Sequence, residues 1–172
     1  VFFDEDGKAY LYFVRFTNGN VIWCAELKDN LKEIKEETLT QCIEAVEPWE
    51  MVFGKVAEGP SILKRDGLYY LLYSANDFRS QDYAVGYATS DSPFGPWKKN
   101  SKNPLLHKVD ELVGTGHGAP FADKDGNLRY VFHAHKSQTE VNQRNSYIVD
   151  MSLSGKDQVS IGGRLIHPAV VK

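Results

Sequence analysis

The chain has 172 residues, 42% of them hydrophobic and 12% aromatic, which is enough to bury a sizeable core in one domain of ordinary size. A formal net charge of −3 without a basic run lacks the electrostatic footprint of a nucleic-acid binder. No apolar stretch approaches the length of a membrane span and no signal-peptide pattern opens the chain, which starts inside an apolar run, Val1-Phe2-Phe3.

In chain order, the first turn is Asp4-Glu5-Asp6-Gly7-Lys8, followed by a β-prone run, Ala9 to Phe13. A second run covers Val21 to Leu27, a helical turn is allowed over the charged stretch Lys28 to Glu37, and Thr38 to Ile43 reads as a further strand. Cys24 and Cys42 have no metal-binding spacing and read as ordinary buried thiols.

The same order then repeats. Glu58-Gly59-Pro60 opens a strand that ends at Arg65-Asp66-Gly67, and Leu68 to Tyr73, Tyr83 to Thr89 and Trp97 to Lys99 follow. His117-Gly118-Ala119-Pro120 opens a third unit, with a turn at Asp123 to Asn127 and runs at Leu128 to Phe132, Ser146 to Met151 and Gln158 to Ile166. Asp-Gly between two β-prone runs is a hairpin signal, because glycine accepts the positive φ of a tight turn. Four antiparallel strands in a period of about sixty residues predict an all-β chain of three four-stranded propeller blades, at 1–50, 51–112 and 113–172. Propellers close with at least four blades, so further blades are expected upstream, together with the missing opening strand of the first repeat.

The innermost strand of each blade lines the central axis. Counted from the Asp-Gly steps, Glu58 and His117 stand at the same offset and are expected to converge there. A carboxylic acid and an imidazole at an axis suit general acid chemistry or metal binding. Equally open from the residues alone are a strand-end glutamate in an ion pair and a hydrogen-bonded core histidine. Asp4, Glu5 and Asp6 match the turns of the other repeats and read as turn residues.

Glu58-Gly59-Pro60-Ser61 with Lys64 to Ser74, the run Tyr83 to Trp97, and Gly114-Thr115-Gly116-His117-Gly118 together resemble glycoside hydrolase family 43, whose fold is a five-bladed β-propeller. The resemblance implies an inverting glycosidase acting on arabinose- or xylose-containing plant cell-wall glycans, outside the cell or in the periplasm. It makes Glu58 the general acid and His117 an axial residue that binds calcium directly or through water. It puts the base and a third, pKa-adjusting aspartate upstream of residue 1, so that the chain alone is expected to be inactive. Substrate contacts are expected from Trp49 on the connection into the acid's strand, from Asn76 and Arg79 beyond Ser74, and from Arg144, with His133 and His135 in the same region of the last blade. Two other readings stay open: a non-catalytic carbohydrate-binding propeller, and a structural unit that self-associates through open blade edges.

Overall fold

Each repeat folds outward from its hairpin. At Arg65-Asp66-Gly67-Leu68 the two central residues both take positive φ, +52° and +77°, which is the two-residue turn whose twist matches the flanking strands. The other two hairpins use five-residue turns, in which the amide of Asp4 donates to the carbonyl of Lys8 and that of Asp123 to the carbonyl of Asn127.

The computed structural model describes residues 1–169, so 170–172, the end of the expected third blade, lie outside the described residues. Three four-stranded antiparallel sheets follow one another, each a simple meander. The first holds β1 (Phe2–Phe3), β2 (Ala9–Phe16), β3 (Asn20–Glu26) and β4 (Thr40–Ile43). The second holds β5 (Ala57–Arg65), β6 (Leu68–Ala75), β7 (Ala84–Ser90) and β8 (Lys98–Lys99). The third holds β9 (Gly116–Ala122), β10 (Leu128–Ala134), β11 (Asn145–Ser154) and β12 (Gln158–Ile166). The architecture is that of propeller blades.

Two local expectations need correction. The opening strand of the first repeat is present in part, since Phe2 pairs with Tyr10 and Phe3 with Ala9. Of the charged stretch 28–37, only its end enters a helical turn, a 3-10 turn at Glu36–Thr38; the rest, without an apolar stripe, is a loop in which Lys28 pairs with Glu33.

The core lies between blades. On one side of the second sheet, Leu71, Tyr73 and Ala75 pack with Tyr10, Tyr12, Ile22, Cys24 and Ile43 of the first. On the other side, Tyr70 and Leu72 pack with Tyr130, Phe132, Tyr147 and Val149 of the third. Successive residues of a strand point to opposite faces, so a strand with a neighbour on each side is apolar throughout. This is why every residue of β6 is buried.

Candidate active site

The site begins with two irregular strands. Glu58 pairs with Ser74 and Ser61 with Leu72, so β5 has one residue more than β6 over this interval. β9 does the same against β10, where Gly116 pairs with His133 and Ala119 with Val131. A bulge of this kind kinks a strand and re-aims its side chains.

Strand pairing corrects the expected equivalence of Glu58 and His117. Glu58 lies seven residues before Arg65, the last paired residue of β5, and the position seven before Ala122, the last of β9, is Thr115. The Asp-Gly step misled the count because the third hairpin has a five-residue turn where the second has two residues. The two side chains nevertheless meet: Nδ1 of His117 is 4.0 Å from Oε1 of Glu58.

Glu58 has a side chain one-fifth exposed (21%). Its Oε1 accepts a 2.8 Å hydrogen bond from the hydroxyl of Tyr83, and its Oε2 a 3.3 Å bond from the amide of Asn20. Asn20 belongs to the first blade and is fixed by its own backbone, whose N–H donates to the carbonyl of Lys55. Tyr83, fully buried, enters from the segment just before β7. Among the described residues no lysine or arginine pairs with Glu58. The acid is thus held by neutral donors from two different blades.

His117 takes a left-handed backbone, φ +50°, an arrangement that stores local strain of order 1–3 kcal/mol. Its N–H donates to Oγ of buried Ser74, and its Nδ1 lies 3.2 Å from the Tyr83 hydroxyl. The ring of His133 stacks on Tyr83 at 5.6 Å and 12° and also faces His117. Burial, with the nearby Arg144 charge, pushes the His133 pKa down to about 3, so its imidazole is neutral across the working range of most enzymes. A neutral ring can accept the 3.2 Å contact from Nη1 of Arg144 at Nε2.

The glycines around His117 are packing devices. A Cβ on Gly114 would fall 2.1 Å from the ring of His135, and one on Gly116 would fall 2.3 Å from the ring of Tyr83. Each absent side chain leaves room for a ring, and that of Tyr83 stands beside Glu58.

The expected substrate residues separate into two groups. Arg144 lies over the partly exposed ring of Phe78 at 4.9 Å and touches His133, whose ring stacks on Tyr83. Arg79 is exposed, forked onto Asp77 and 5.7 Å from the ring of Phe53. Two expectations change. Asn76 is buried and its amide is used internally: Oδ1 accepts from the N–H groups of Val52 and Phe53, and Nδ2 donates to the carbonyls of Trp49 and Asp82. Trp49 is half-buried, packed tightly over Gly86 and tilted against Tyr73 at 6.0 Å, so part of its indole is used in holding the second blade. His135 is also structural, its Nε2 contacting the carbonyl of Phe78.

Calcium prefers six to eight oxygen ligands. His117 offers nitrogen and no oxygen, with Nδ1 already facing Tyr83 and Gly59, and the described residues contain no group of three or more His, Cys, Asp or Glu placed to hold a metal. The donors present among the described residues do not fit calcium by themselves.

The pattern of glycosyl hydrolases family 43 matches residues 1–156. The chain belongs to this family. Among solved family 43 and related structures, an endo-1,4-beta-xylanase of Bacteroides thetaiotaomicron superposes with a TM-score of 0.96 at 58% identity, covering 99% of this chain and 60% of that one. A thermostable family-43 glycoside hydrolase gives 0.86 at 31% identity, with 98% and 58% covered. The beta-D-galactofuranosidase xynD of Aspergillus niger is 30% identical over 133 residues, which are 77% of this chain and 35% of that protein. An extracellular exo-alpha-(1->5)-L-arabinofuranosidase of Streptomyces chartreusis is 36% identical over 94 residues, 50% of this chain and 28% of its own. The matches cover 22% to 36% of the length of the curated relatives.

Proposed function

We propose that the protein carrying this chain is an inverting glycoside hydrolase that acts on arabinose- or xylose-containing glycans of the plant cell wall, with Glu58 as the general acid. The observation that carries the reading is the mounting of Glu58: a partly exposed carboxyl at a strand bulge, held by Tyr83 and Asn20 with no lysine or arginine partner among the described residues. A lysine partner would add a full charge that holds a carboxyl as the anion, whereas neutral donors bias it less and still orient it. Names of relatives support the substrate class, as they include a xylosidase/arabinosidase of Butyrivibrio fibrisolvens and the Streptomyces arabinofuranosidase. The latter's description as extracellular supports a place outside the cell or in the periplasm.

In this reading the carboxyl O–H of Glu58 gives its proton to the glycosidic oxygen as the bond to the anomeric carbon breaks, and the leaving sugar departs as an alcohol. A water on the opposite face, deprotonated by a second carboxylate about 6.5–9.5 Å from the first, attacks that carbon and inverts it. We infer that this base and the third aspartate come from blades upstream, so that the three blades alone do not hydrolyse glycosides. Arg144, beside His133 and Phe78, is the residue we assign to sugar contact, with exposed Arg79 as a second.

The test is Glu58→Gln in the full-length protein, assayed on nitrophenyl arabinofuranoside, nitrophenyl xyloside and the matching oligosaccharides, with product anomers followed by proton NMR. Loss of about 100- to 10,000-fold on oligosaccharides is expected, the size of a general acid's contribution, with the inverted anomer formed first by wild type. Unchanged hydrolysis by the variant, or a retained anomer, would overturn the reading.

A further inference from the structure

We propose that Tyr83 is the positioning residue of the acid, fixing which oxygen of Glu58 delivers the proton; the inference rests on Glu58 being the general acid. A phenol has a single proton to donate. In Tyr83 the nearer acceptor is Oε1 of Glu58, at 2.8 Å, with Nδ1 of His117 farther off at 3.2 Å. Oε1 is thereby engaged, and the acidic proton resides on Oε2, whose other neighbour, the Asn20 amide, is at 3.3 Å.

Tyr83 is itself immobilised, which a positioning role requires. It is fully buried, His133 stacks on it almost in parallel, and Gly116 passes so close that a methyl group there would meet the ring. Both wedges belong to the third blade. The acid stands on the second blade, so its direction depends on how the third packs against it. The backbone contact of His117 with Ser74, the residue paired with Glu58, fastens the same two blades at the same level. His133, expected only in the same region as Arg144, has a different job: a neutral plate against the tyrosine.

Tyr83→Phe removes the hydroxyl and keeps the ring, and Gly116→Ala moves the ring and keeps the hydroxyl. Both are made in the full-length protein next to Glu58→Gln, with thermal unfolding as a check on folding. Each is assayed on an unactivated disaccharide of xylose or arabinose and on the corresponding 2,4-dinitrophenyl glycoside, whose leaving group needs no proton. The expected result for Tyr83→Phe is a fall of about 10- to 100-fold in kcat on the disaccharide, the scale of one lost hydrogen bond to a charged group, with KM little changed and the dinitrophenyl glycoside barely affected. Gly116→Ala is expected to show the same split. Equal loss on both substrates, a loss carried by KM, or no loss in either variant would overturn the positioning role. If Glu58→Gln splits the substrates and Tyr83→Phe does not, only this inference falls. If Glu58→Gln does not split them, the general acid assignment falls with it.

Discussion

Glu50 shows what a fully buried carboxylate requires. Its Oε2 accepts from the N–H groups of Val46 and Glu47 and pairs with Nζ of Lys99 at 2.6 Å, while Oε1 takes the hydroxyl of Tyr73 at 2.6 Å. The same glutamate closes a 3-10 turn at Pro48–Glu50, so it ties the connection between the first two blades to the outermost strand of the second. Removing one partner of a buried pair leaves the other charge without compensation. Lys99→Ala is therefore expected to destabilise the protein by about 3–5 kcal/mol in urea unfolding, while the conservative Lys99→Arg costs less; a change below about 1 kcal/mol for the alanine variant would refute the account. Residues of this kind resist reading from sequence. Glu50, Asn76 and Trp49 all look like loop residues by position, and only the folded blade shows the carboxylate, amide and indole spent on packing and backbone bonds. Asn20 and Tyr83 stayed hidden because their bonds to Glu58 cross 38 and 25 residues of sequence.

At the scale of strands, much was readable. The three Asp-Gly hairpins and the third strands fall where the alternating runs placed them, because a turn glycine and a β-prone flank are local properties. Register was not readable, since a five-residue turn in place of a two-residue one shifts every later offset, and that is how Thr115 and not His117 came to match Glu58. β6 provides a test of layering. Leu71 and Leu72 are adjacent and both buried, yet Leu71 belongs to the core shared with the first blade and Leu72 to the core shared with the third. Each leucine-to-alanine change is expected to cost about 2–5 kcal/mol. Because the two cavities open in different interfaces, the double variant is expected to lose close to the sum, within about 0.5 kcal/mol. Strong non-additivity in denaturant unfolding would mean that the two interfaces are one core.

The molecule as a whole is held by links from each blade to the next. Tyr12 donates to the carbonyl of Pro93 and Tyr87 to that of Asp157, and Arg65 reaches the carbonyl of Leu153. Between the first and second blades a charged link is Asp4, one of the turn residues: its nearly buried carboxylate accepts from Nζ of Lys64 at 2.5 Å and from the hydroxyl of Tyr69. Burial alone would raise the pKa of Asp4, but the bonds from Lys64 and Tyr69 outweigh it and hold the group below its ordinary 3.8. A carboxyl with a lower pKa folded than unfolded stabilises the fold fully above the unfolded value, and that stability disappears as pH falls through the folded value. Asp4→Asn should therefore lower Tm most near pH 6–7, with the gap from wild type narrowing as the pH falls below about 4. Thermal unfolding of both proteins from pH 7 down to 2.5 measures this. A gap that stays constant over the range would mean that Asp4 acts through its turn geometry and that charge does not couple the first two blades.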